Sequence, residues 1–157
     1  MRISLVAVGR TRDKHAAALC ADYASRIPRY GSFAVHEVKD ARGVNEKKAR
    51  QVEGERLLTR LPEGCRVVLL DEFGTRRTSI GFANWLNERA VDTQDMRFVL
   101  GGPWGFSADV RARSRDALRL SDMTLPHELA RVVFLEQLYR ALTIQRGGKY
   151  HHGTPDS

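Results

Sequence analysis

The stretch Arg97 to Ser107, "RFVLGGPWGFS", decides how the chain is read. An apolar run stops abruptly in Gly101-Gly102-Pro103-Trp104-Gly105. Ser107 then offers an N-cap to a helix, with Asp109 well placed in its first turn. A strand that leaves through glycines and a proline and enters a helix is a strand-loop-helix unit with a demanding turn. Glycine there permits positive φ or close approach of the backbone to another group. The loop is neither a G-x-G-x-x-G nor a G-x-x-x-x-G-K-[ST] sequence. Pro103 also removes one N–H from any anion cradle.

Outward from this loop, apolar bursts alternate with helix-periodic segments. Upstream, "ISLVAVG" (Ile3 to Gly9) is a strand, and Ala16, Leu19, Cys20, Tyr23 and Ile27 follow helical spacing. Pro28 and Gly31 end that helix. "FAVHEV" (Phe33 to Val38) alternates as a half-exposed strand does. "NEKKARQVEGERLLTRL" (Asn45 to Leu61) is a charged helix, and "RVVLLD" (Arg66 to Asp71) is a buried strand. Ser79 caps a helix that turns Ile80, Ala83, Leu86 and Ala90 inward. Downstream, "ALRLSDMTL" (Ala117 to Leu125) is a short last strand and loop. Pro126 suits the first turn of a long helix running to about Ile144.

This alternation predicts an α/β fold, a mainly parallel sheet flanked by helices. Ligands in such sheets bind beyond the carboxyl ends of the strands. Three strand ends carry unusual loops: "LLDEFGT" (Leu69 to Thr75), "LGGPWGFS" (Leu100 to Ser107) and "RLSDMTLPH" (Arg119 to His127). They should lie side by side.

The 157 residues show no repeat, linker or internal boundary and read as one domain, 1–157. Net charge is +7, and residues 1–60 carry most of it, with 13 Lys/Arg against 7 Asp/Glu. Such a surface favours a polyanion, nucleic acid first. No apolar run approaches the roughly 20 residues of a membrane span. The N-terminus lacks a cleavage pattern and reads as a first strand. Cys20 and Cys65 form no metal or redox spacing, which predicts a cytoplasmic chain with reduced thiols. The segment Leu129 to Ile144 is apolar nearly all round, so it needs cover on more than one side. A second subunit is one such cover, the sheet and neighbouring helices another.

"LGGPWGFS", "LSDMTLPHELARVVFLEQLYRA" (Leu120 to Ala141) and "GGKYHHG" (Gly147 to Gly153), in this order, resemble the RlmH family. "ISLVAVGR" and "VVLLDEFGTRRTS" match it too, so the resemblance covers essentially the whole chain. The family are SPOUT-class methyltransferases that methylate N3 of a pseudouridine in large-subunit ribosomal RNA. The resemblance implies a C-terminal trefoil knot over about residues 66–146, against the usual avoidance of knots. It also implies a homodimer formed through the knot region, a flexible tail 147–157, and the assembled ribosome as substrate. S-adenosylmethionine is the implied cofactor, held by Leu70, Gly102 and the segment Leu120, Ser121, Asp122, Met123, Thr124 and Leu125. Gly101, Pro103 and Gly105 shape the same wall, where glycine lets backbone approach the cofactor.

N3 of pseudouridine is an imide nitrogen that must lose its proton, so a base or an anion-stabilising cation is needed. The candidates are His127, Arg131, Tyr150, His151 and His152. The family usually ends in Tyr-His followed by Lys or Arg. Here His152 stands at the basic position, charged only part of the time near neutral pH, with Arg146 and Lys149 close by. Gly147 and Gly148 would let the tail reach across a dimer. Glu136 and Arg140, at i and i+4, read as a structural pair. His151 and His152 have no third ligand at a natural spacing, so no metal is expected. The competing reading is a non-catalytic ribosome-associated factor that keeps the fold and the basic face.

Overall fold

The computed structural model describes residues 1–153. It holds a five-stranded sheet in the order β2-β1-β4-β3-β5, every pair parallel. The strands are β1 (Arg2–Val8), β2 (Phe33–Val38), β3 (Arg66–Arg76), β4 (Asp95–Leu100) and β5 (Asp116–Arg119). Between them run α1 (Lys14–Arg26), α2 (Glu46–Leu58), α3 (Ser79–Arg89) and α4 (Ala108–Arg113). α5 (His127–Gln145) closes the chain's regular structure.

Alternation along the strands feeds two cores. Ile3, Leu5 and Ala7 of β1 and Met96, Phe98 and Leu100 of β4 face α3 and α5. Val6 and Val8, with Val67, Leu69 and Val99, face α2 and α4. Burial on both faces is why "ISLVAV" reads as a nearly continuous apolar run. Phe98 is fully buried, with ring centroids 4.8 Å from Phe134, 6.1 Å from Phe82 and 6.5 Å from Trp85. Truncating such an aromatic costs about 3–5 kcal/mol.

Several sequence expectations are corrected. β3 does not stop at Asp71. It kinks between Leu70 and Thr75 and pairs again with β5, Thr75 with Leu118 and Arg76 with Arg119. Gly74 permits this, because a Cβ there would lie 2.7–2.8 Å from backbone atoms of Ala117 and Leu118. The cap of α3 is Thr78, not Ser79, whose hydroxyl instead donates to Gln137 Oε1 at 2.7 Å. Its buried face is Phe82, Ala83, Trp85 and Leu86, while Ala90 is exposed as the C-cap beyond the end of the helix. In α1, capped by Asp13, Leu19 is exposed. Pro126 is the N-cap of α5 rather than its first helical residue.

Most of α5 is covered within the chain, although Leu129 is exposed. It packs against the sheet, α1 and α3, and Phe134, Leu135, Leu138 and Ala141 are buried in the same core as Phe98. Leu138 therefore needs no second subunit to bury it. No described helix is long and apolar enough to cross a membrane.

Candidate functional site

β4, β3 and β5 are adjacent, so the three unusual loops meet at the carboxyl ends of these strands, side by side as expected. They enclose a cavity of about 480 Å³. Leu70 and Leu100, the last buried residues before two of the loops, line it, together with Leu125 and Ala130 at the start of α5. Gly101, Gly102, Pro103 and Gly105 form one wall; Leu120, Ser121, Met123 and Thr124 form another. Asp122 does not line it. Its carboxylate turns outward to Arg76 at 3.0 Å and Arg119 at 3.2 Å.

The glycines answer to different demands. Only Gly105 has positive φ in this loop, at +79°. A Cβ on Gly101 would lie 2.9 Å from the Phe106 ring, and one on Gly102 would lie 2.6 Å from Glu53 Oε1 on α2. Gly101 thus permits close packing of Phe106, itself a lining residue, and Gly102 permits close packing of Glu53, which does not line the cavity. An isolated antiparallel bridge between Gly102 and Gly105 tightens the turn. Ser107 caps α4, its Oγ accepting from the Val110 N–H at 3.3 Å.

Acidic groups line the cavity as well. The Asp71 side chain is largely covered and ion-paired with Arg111 at 2.5 Å, and Glu72 and Glu46 line the same cavity. Three large apolar side chains at the cavity, Phe73, Trp104 and Met123, are exposed. Exposed apolar groups of this kind mark ligand or partner surfaces. Sequence reading missed Asp71, Phe73, Trp104 and Arg111 individually. The first three lie in loops it had singled out, whereas Arg111 lies in a six-residue helix too short for periodicity to fix its facing.

Of the candidate catalytic residues, His127 alone lines the cavity. Its Nε2 lies 3.0 Å from the Val8 carbonyl oxygen at the end of β1. A carbonyl only accepts, so Nε2 carries the proton and Nδ1 is left as the acceptor. Burial pushes its pKa down, and nearby Arg131 adds to this against the pull of the Val8 bond. Arg131 is buried away from the cavity. It pairs with Glu37 at 2.5 Å and donates to the Gly9 carbonyl at 2.7 Å. Glu128, between them in sequence, accepts the Arg12 and Asp13 N–H groups. The first turns of α5 therefore clasp the loop after β1.

The tail folds back on its own chain. The Tyr150 ring packs on Tyr139, with centroids 4.7 Å apart, and its hydroxyl lies 3.2 Å from that of Tyr23 and 3.1 Å from Glu136 Oε1. Arg140 holds Glu136 at 2.5 Å, lies over the Tyr150 ring at 4.8 Å and reaches His151 Nδ1 at 3.1 Å. Burial and the bonds to Tyr23 and Glu136 raise the Tyr150 pKa, so this phenol is a donor and not a base at neutral pH. His152 is exposed. Within the single chain the tail docks on Glu136 and Arg140. Residues 154–157 lie outside the described residues. Among the described residues, no three His, Cys, Asp or Glu side chains group as metal ligands do.

Comparison with known proteins places this geometry. The family described as "Predicted SPOUT methyltransferase" matches residues 1–151. The chain is 45% identical over 153 residues to the ribosomal RNA large subunit methyltransferase H of Gloeobacter violaceus, covering 98% of this chain and 100% of that protein. It is 40% identical over 157 residues to the protein of the same name from Phocaeicola vulgatus, covering 97% and 99%. The solved structure of a probable methylase family protein from Haemophilus influenzae shares the fold at a TM-score of 0.50 and 15% identity, over 99% of this chain and 72% of that one. A parallel sheet with its loops gathered at the carboxyl edge, and a family match over nearly every residue, lead to one conclusion: the chain belongs to the SPOUT methyltransferases, and its reaction is methyl transfer.

Proposed function

We propose that the chain methylates N3 of a pseudouridine in large-subunit ribosomal RNA, in the cytoplasm, using S-adenosylmethionine and acting on the assembled ribosome. The names of its full-length relatives support RNA as the substrate class. The +7 charge fits a polyanion partner. The observation that carries the reading is the cavity at the ends of β3, β4 and β5. Its volume of about 480 Å³ suits a cofactor of this size.

The lining fits the group. Leu70, Leu100, Leu120 and Leu125 offer apolar walls for a purine. Gly101 and Gly102 themselves bring backbone without side chains to the lining. Asp71, Glu72 and Glu46 outnumber Arg111 among the lining charges, a net acidic field suited to a sulfonium and an amine. When bound, S-adenosylmethionine supplies a methyl group made electrophilic by the sulfonium.

The chain's own residues position and deprotonate. Holding a nucleophile in line removes much of the entropic barrier. The group assigned here to take the imide proton is His127 Nδ1, the acceptor nitrogen while Nε2 donates to Val8. Phe73, Trp104 and Met123 present apolar surface to a base. In this reading a homodimer built through the knotted region, about residues 66–146, brings Tyr150, His151 and His152 of one subunit toward the cavity of the other. The tail must then leave its dock on Glu136 and Arg140.

The test is calorimetric titration with S-adenosylmethionine, followed by transfer of labelled methyl to assembled ribosomes, isolated large subunits and naked ribosomal RNA. Binding, with transfer to the assembled ribosome, is expected. Absence of binding overturns the reading. Transfer to naked RNA alone overturns the ribosome as substrate.

A further inference from the structure

Glu53 lies in the middle of α2, 3% exposed, outside every role described above. Its Oε2 accepts the Ala41 N–H at 3.0 Å, whereas its Oε1 is buried with no hydrogen-bond partner among the described residues. That oxygen is the atom a Cβ on Gly102 would approach to 2.6 Å. The next residue repeats the contact at the other end of the loop. A Cβ on Gly54 would collide with the Ser107 hydroxyl, the cap of α4. Glu53-Gly54 therefore backs both ends of the glycine loop, on the side away from the cavity.

A buried carboxyl with one oxygen unpaired is costly, and more so when ionised. Leucine would fill the space without that cost, so its presence against Gly102 asks for a reason. We propose that Glu53 is a positioning residue: its carboxyl props the glycine loop from behind and sets the place of Gly102 in the cavity wall. The link to cofactor binding rests on reading the cavity as the S-adenosylmethionine site.

The surroundings favour the protonated acid. Burial is the main cause of a raised pKa; Asp40 adds to it, while the Ala41 N–H and Arg56 oppose it. Asp40 is itself paired with Arg12 and Arg42, and Arg56 is spent on the Lys39 and Asp40 carbonyls. The loop from Gly101 to Ser107 contributes no titratable side chain. No cation on the facing elements reaches Oε1. Ionisation then puts an unpaired charge against Gly102, and the loop senses it.

The experiment follows the Gly102 amide by NMR through a pH titration of the full chain, and measures amide hydrogen exchange across residues 101–107. In the wild type the Gly102 shift should titrate above the usual carboxylate range. In Glu53→Gln, which keeps the shape and the bond from Ala41, that inflection should vanish while exchange stays within about twofold. In Glu53→Ala, exchange of the loop should rise more than tenfold relative to α5, with a similar loss of S-adenosylmethionine affinity. An inflection that persists in Glu53→Gln overturns the assignment, and it decides the matter if Glu53→Ala does not fold. Loop exchange unchanged in folded Glu53→Ala overturns it too. A faster loop with unchanged cofactor affinity overturns the link to the cavity. These loop readouts use the free protein, so a wild type that failed to bind S-adenosylmethionine would overturn only the reading of the cavity.

Discussion

His127 Nε2 lies 3.0 Å from the Val8 carbonyl oxygen, so α5 begins by docking an imidazole onto the end of the first strand. This bond fixes the tautomer and aims the other nitrogen as an acceptor. Burial lowers the pKa from the usual 6.5, which means the folded state binds its proton less readily than the unfolded chain. Stability from this group is therefore full above about pH 6.5 and is lost as pH falls toward the lower folded value. In His127→Gln, urea unfolding should show a smaller loss of stability between pH 7.5 and 5 than in the wild type. Methyl transfer should fall by about a hundredfold, the scale of a lost general base. A wild-type rate in this variant would move proton removal to another group.

Gly102 and Gly105 should fail in different ways. Gly102→Val drives a branched side chain into Glu53, so the loop must shift, and S-adenosylmethionine affinity should fall more than tenfold while the fold persists. Gly105→Ala forces a side chain to φ +79° and should cost about 1–2 kcal/mol in unfolding experiments. Calorimetry and denaturation on both variants separate the two effects. Equal cofactor affinity in Gly102→Val and the wild type would remove this loop from the site.

How far the sequence could be read depended on what each residue faces. The alternation of apolar runs and helices was enough for the parallel sheet, and the sheet was enough to bring Leu70, Gly102 and Leu125 to one edge. The reason for each glycine was not legible. Gly101 answers to Phe106, five positions on, but Gly102 answers to Glu53 on another helix, and nothing local announces that contact. The continuation of β3 past Asp71 was hidden because it depends on backbone meeting backbone at Gly74. Tyr150 looked like a free tail residue because its partners, Tyr23 and Glu136, lie on two different helices.

Leu138 gives a test of where the long helix finds its cover. It is fully buried within one chain, in the cluster that holds Phe98 and Phe134. Leu138→Arg should abolish folding, since an unpaired charge in a core has no compensation. Circular dichroism should show loss of cooperative structure. A folded monomer in solution would instead place Leu138 at a subunit interface.

Arg131 should separate structural from chemical importance. Its guanidinium is buried against Glu37 and the Gly9 carbonyl, so Arg131→Met removes charged hydrogen bonds and should cost about 1.5–3 kcal/mol in urea unfolding. Cofactor affinity should stay within threefold, because Arg131 does not line the cavity. A large loss of methyl transfer in a variant of nearly normal stability would contradict this structural role.

Tyr150 and His151 are docked on α5 through Glu136 and Arg140, and Tyr150 also meets Tyr23 on α1. These contacts are partly exposed, so their loss should be mild for stability. If the tail serves only to cover α5, deleting residues from Tyr150 onward should lower the melting temperature slightly and leave catalysis intact. If it serves RNA, the same deletion should spare cofactor affinity and cut methyl transfer to ribosomes more than tenfold, at least about 1.4 kcal/mol of transition-state stabilisation. The second outcome is expected, because an aromatic ring followed by two histidines is suited to stacking on a base and meeting phosphate. Tyr150→Phe refines the test. It keeps the stacking ring but loses the bonds to Tyr23 and Glu136, so it loosens the tail while the packing on Tyr139 remains. Transfer by Tyr150→Phe at or above the wild-type rate, beside a strong loss in the deletion, would assign the tail's role to its ring and histidines rather than to its dock. Full activity in the deletion would return the chemistry to His127 alone.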